Sequence, residues 1–164
     1  MKRLSISVFF VMVACGAFLT HPACGQTVFF EDFEGLELGA FVDETLPEME
    51  GIMDPSKVWT STPPEGWTVD NESMPFGGVQ DWWGWTFANA EAWALVAGNQ
   101  NRVEFTKGEG TVAIADPDEW DDAEHDAGTM NTFLISPAIS LDGVDANTVT
   151  LTFDSSWRPE DNQQ

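Results

Sequence analysis

The side chains most able to do chemistry in this sequence are carboxylates, and they gather in two places. Glu31, Asp32 and Glu34 crowd the segment TVFFEDFEG near its start. In extended backbone Asp32 and Glu34 point to one side and Phe33 to the other. The second gathering runs from Asp116 through Asp118, Glu119, Asp121, Asp122 and Glu124 to Asp126, directly after TVAIA. Calcium takes about six to eight oxygen ligands, and carboxylates on a strand-end loop supply them. Crowded carboxylates repel one another, and a bound cation relieves that repulsion. The second cluster is not an EF-hand loop: with Asp116 and Asp118 at positions one and three, Trp120 stands at five and Asp121 at six, where glycine is required. The same acids would also serve as the solvated face of an acidic protein.

Tryptophan is the second resource. Asp81-Trp82-Trp83-Gly84-Trp85 lies in a Gly-rich stretch, with Trp93 not far beyond. Exposed indoles stack on sugar rings, and Asn99, Gln100, Asn101 and Arg102 offer polar partners for hydroxyls. The competing use is core filling, to which Trp67 and Trp85 are assigned. Trp82 and Trp83, with Asn99 and Arg102, form the expected ligand-binding set.

Constellations for catalysis are missing from the pattern. Histidines number two, His21 and His125, and the cysteines are Cys15 and Cys24. No G-x-S-x-G, P-loop or G-x-G-x-x-G occurs. One histidine beyond residue 25 is too few for a zinc site. Carboxylates suited to a glycosidase abound, but nothing singles out a pair. A non-catalytic chain is the expectation.

The composition agrees with this direction. Across 164 residues, 28 Asp and Glu face 6 Lys and Arg, a net charge of −22. Nucleic acid is excluded as a partner by that sign, and anionic lipid is repelled. A hydrophobic content of 43% is that of a folding chain. Residues 1–25 read as a secretory signal peptide: Lys2 and Arg3, an apolar run to Leu19, then Ala23 and Gly25 as small residues before a cleavage point. Removal would take both cysteines and leave Lys57, Arg102, Lys107 and Arg158 against all 28 acids. The chain is therefore expected to be exported, with residues 26–164 as one module and no membrane insertion of that module.

Short strands between Gly/Pro/Asn turns are expected to position these residues. Val28–Phe33, Trp67–Val69, Thr111–Ala115, Phe133–Ile135, Ile139–Leu141 and Val149–Phe153 carry the β-prone runs, the last with clear period-two alternation. Ala92–Ala97 is compatible with a short helix or a buried strand. The expected class is all-β, a sandwich.

Four phrases in order sharpen that class: FEDFEG from Phe30, PPEGWTV from Pro63, LISPAISL from Leu134 and VTLTFD from Val149. Together they resemble the MAM-like jelly-roll modules of secreted bacterial proteins, including cleaved-adhesin and choice-of-anchor domains. The resemblance implies a jelly-roll β-sandwich, incomplete after Phe153, with bound calcium and a binding or adhesion role toward an extracellular glycan or protein surface. It also implies an alternative, an accessory module preceding a secreted hydrolase such as a metallophosphoesterase. In that fold the opening strand lies near the strand that ends at Asp154. The implied calcium ligands are Asp32, Glu34, Asp116, Asp118 and Asp154. Relatives with disulfides have no counterpart here, because Cys15 and Cys24 lie in the leader.

Overall fold

The computed structural model describes residues 26–47 and 53–157; the expected signal peptide lies outside the described residues. The described residues are mixed α/β, with two small open sheets and two short helices among them. They do not form the all-β jelly-roll sandwich that the resemblance implies. The elements run β1 (Trp59–Thr60), β2 (Thr68–Asp70), β3 (Thr86–Asn89), α1 (Ala90–Val96), β4 (Thr111–Ile114), α2 (Pro117–Trp120) and β5 (Phe133–Ile135).

β3 is the centre of the larger sheet, whose order is β1-β3-β4 and whose pairs are all antiparallel. Phe87 and Ala88 are fully buried on its opposite faces, as a strand covered on both sides requires. The register sets Trp59 opposite Ala88, Phe87 opposite Ala113 and Ala88 opposite Val112. α1 follows β3 at once. Asn89 caps it, its Oδ1 accepting from the backbone of Glu91 at 3.0 Å and Ala92 at 3.1 Å. This cap resolves the sequence ambiguity of Ala92–Ala97 in favour of helix through Val96. Ala92 packs with Val58, Trp59, Trp82, Val112, Ile114 and Trp120 in one core.

The smaller sheet pairs β2 with β5, Val69 opposite Leu134. Phe33 bridges the two sheets, its ring centroid 5.8 Å from Trp67 and 5.3 Å from Phe87.

The jelly roll fails at three of its implied strands, and one of them, Ile139–Leu141, simply stays outside both sheets. Val28–Phe33 forms no strand; Phe33 takes a left-handed φ of 63° and Leu36 N–H closes a turn onto its carbonyl. Val149, Leu151 and Phe153 alternate as expected, yet they are 55%, 81% and 76% exposed and belong to no sheet. Alternation selects a face only where a second layer covers it. The acidic loop also contains a helix, because Asp116 is a capping residue and Pro117 suits a first helical turn. Among the described residues no helix is long and apolar enough to cross a membrane.

Candidate functional site

Oppositely charged side chains meet in the interior where the turn after α1 meets the start of α2. Past Val96 the chain enters four consecutive left-handed residues, Gly98, Asn99, Gln100 and Asn101, with φ of 60°, 67°, 34° and 66°. Glycine and asparagine tolerate this region best, so the Gly-Asn-Gln-Asn run permits the reversal. Asn99 donates its N–H to Ala94 O at 2.7 Å and ties the reversal to the helix. A 3-10 turn, Arg102–Glu104, follows and returns Arg102 to the flank of α1.

From the other side β4 delivers Asp116, whose Oδ1 accepts from Glu119 N at 3.4 Å as the cap of α2. Arg102 Nε and Nη2 both donate to Asp116 Oδ2, at 3.0 and 2.8 Å. Nη2 also reaches Glu119 Oε1 at 2.9 Å, and Nη1 donates to Ala97 O at 3.1 Å. Trp93 Nε1 adds a third hydrogen bond onto Asp116 Oδ2, at 2.7 Å, and the Arg102 guanidinium lies 5.5 Å from the Trp93 ring centroid. Asp118 stands 3.5 Å from Nη2 and is half-exposed.

One guanidinium therefore faces two buried carboxylates and a third at the rim. Burial pushes the Glu119 carboxyl up to about 7; Arg102 opposes the shift, and the charges of Asp116, Asp122 and Asp118 add to it. All three ion pairs among the described residues converge on Arg102.

A shallow cleft of about 250 Å³ opens beside this cluster, lined by Trp93, Arg102, Val103 and Phe105, with Glu91 and Glu109. Phe105 is held over the turn by Gly108, where a Cβ would come within 2.6 Å of its ring.

The structure brings Asp116, Asp118 and Arg102 together, two expected calcium ligands and one expected ligand-binding residue. The cation among those carboxylates is the arginine itself. Asp32 and Glu34 lie elsewhere. Asp32 Oδ1 accepts Glu34 N at 3.1 Å, and Glu34 Oε1 accepts Thr111 N at 2.9 Å, fastening the entry of β4. Asp154 is exposed. No group of three or more His, Cys, Asp or Glu arranged to hold a metal ion occurs among the described residues.

The tryptophan pair divides. Trp82 is fully buried and donates to Glu44 Oε1 at 3.0 Å, so it is core and presents no face to a sugar. Trp83 is 39% exposed, with Nε1 donating to Pro75 O at 3.0 Å. Asn99 serves the α1 reversal. The glycan-adhesion reading loses its double indole platform and its sandwich together, and the hydrolase-accessory reading loses the same fold.

Sequence reasoning missed Trp93 and Glu119 as members of the site. The available signal was Arg102, the only arginine between Gln26 and Trp157, spaced within one small fold from the densest acidic run. Comparison with protein-family models, with curated proteins and with solved structures finds no match.

Proposed function

We propose that the chain is a non-catalytic recognition domain for a cationic partner, a Lys- or Arg-rich segment of another protein. The observation that carries this reading is the charge distribution around Arg102. The described ion pairs are all spent internally on that residue, while Glu91, Glu104, Glu109, Asp121, Asp122 and Glu124 around it are exposed and take part in none of them. Such a field attracts polycations and speeds their encounter. The test is calorimetric titration with hexalysine and hexaglutamate at low and high salt. Binding of hexalysine that weakens with salt is expected; equal heats for both peptides would overturn the reading.

Export is also proposed, on the Lys2–Gly25 pattern. Amino-terminal sequencing of the accumulated protein should begin at Gln26; an intact Met1 would contradict it.

A further inference from the structure

We propose that the cleft between α1 and the 102–109 turn is a pocket for a single alkylammonium or guanidinium side chain. The proposal rests on the cationic-partner reading and gives it an address.

The walls are apolar and fixed. Trp93 is held by its bond to Asp116 Oδ2 at 2.7 Å, and the Phe105 ring lies against Gly108. Ala90 and Val103 complete the apolar lining, and Glu91 and Glu109 supply the carboxylates. A lysine or arginine side chain matches this division, with a methylene stem that buries and a charged head that does not. Aromatic walls favour such a head further.

The one cation lining the cleft does not turn it into an anion site. Arg102 spends Nε, Nη1 and Nη2 on Asp116, Ala97 and Glu119, so an anion would find little donor capacity and several carboxylates nearby. Lys107, in the same turn, does not line the cleft. The volume of about 250 Å³ suits one side chain and not a folded ligand.

The experiment uses the full chain and hexalysine, followed by Trp fluorescence and calorimetry. The double variant Glu91→Gln/Glu109→Gln removes two charges without touching the core. It should weaken hexalysine binding about tenfold. A control pair, Glu65→Gln/Glu72→Gln, removes the same charge on other loops and should change affinity less than twofold. Phe105→Ala, with its fold checked by circular dichroism, should weaken binding at least threefold with the net charge unchanged. If the native chain binds hexalysine and both charge pairs weaken it equally, the pocket is wrong and the general reading stands. If the native chain does not bind hexalysine, both fall.

Discussion

Arg102 grips Asp116 through a single oxygen: Nε at 3.0 Å and Nη2 at 2.8 Å both donate to Oδ2, and the indole of Trp93 donates to the same atom at 2.7 Å. Both charges are nearly out of solvent, with side chains 8% and 7% exposed. A buried pair of this kind adds little net stability over an apolar equivalent, but removing one partner strands the other. Arg102→Met should therefore destabilise the chain by about 3–5 kcal/mol, read as a fall in the urea midpoint. A variant within 1 kcal/mol of the native chain would show that the carboxylates are solvated after all.

Glu119 makes stability depend on pH with a definite sign. Its carboxyl titrates near 7 in the folded chain and near 4.5 when unfolded, so between those values the folded state holds the extra proton. The contribution is complete below about pH 4.5 and is lost as pH rises through 7, by at most about 3 kcal/mol. Glu119→Gln mimics the protonated acid. It should match the native chain near pH 5 and exceed it in stability near pH 8, in paired urea titrations.

Asp81 is the second buried carboxylate device, and it serves the fold. Fully buried, it accepts three backbone N–H groups, from Val42 at 2.7 Å and from Asp43 and Glu44 at 2.8 Å each. These bonds hold the 41–44 loop over the 3-10 turn Gln80–Trp82, where Trp82 in turn donates to Glu44. Asp81→Ala would leave those donors without partners at roughly 1–3 kcal/mol for an orphaned group, so a loss of about 3 kcal/mol is expected in thermal or urea unfolding.

Gly110 shows how Glu34 is seated. Its φ is +64°, and a Cβ there would overlap the Glu34 carboxylate that receives Thr111 N–H. Gly110→Ala should cost about 1–3 kcal/mol through backbone strain and the displaced carboxylate. Gly35→Ala, with open space around its Cβ, should stay within about 0.5 kcal/mol by the same unfolding assay.

Part of this was legible in the sequence. Three of the β-prone runs, at Thr68, Thr111 and Phe133, do become strands, and the acidic run after TVAIA does mark the charged centre. The architecture was not legible, because period-two alternation at Val149–Phe153 states a preference without supplying a partner strand. The four phrases that resemble a jelly roll are turns and short extended pieces, compatible with more than one layering. The Arg102 cluster was not legible for a related reason: the charge complementary to Asp116 and Glu119 is brought back by four left-handed residues that spacing alone does not reveal. Trp82 was likewise assigned outward, and its burial follows from the Asp81 lock beside it.

One arginine serves more buried carboxylate than it can neutralise, and a ¹³C NMR titration of the Glu119 side-chain carboxyl in the native chain reads this out. A midpoint near 7 is expected, moving further upward in folded Arg102→Met. A midpoint at the ordinary value of 4.5 would contradict it.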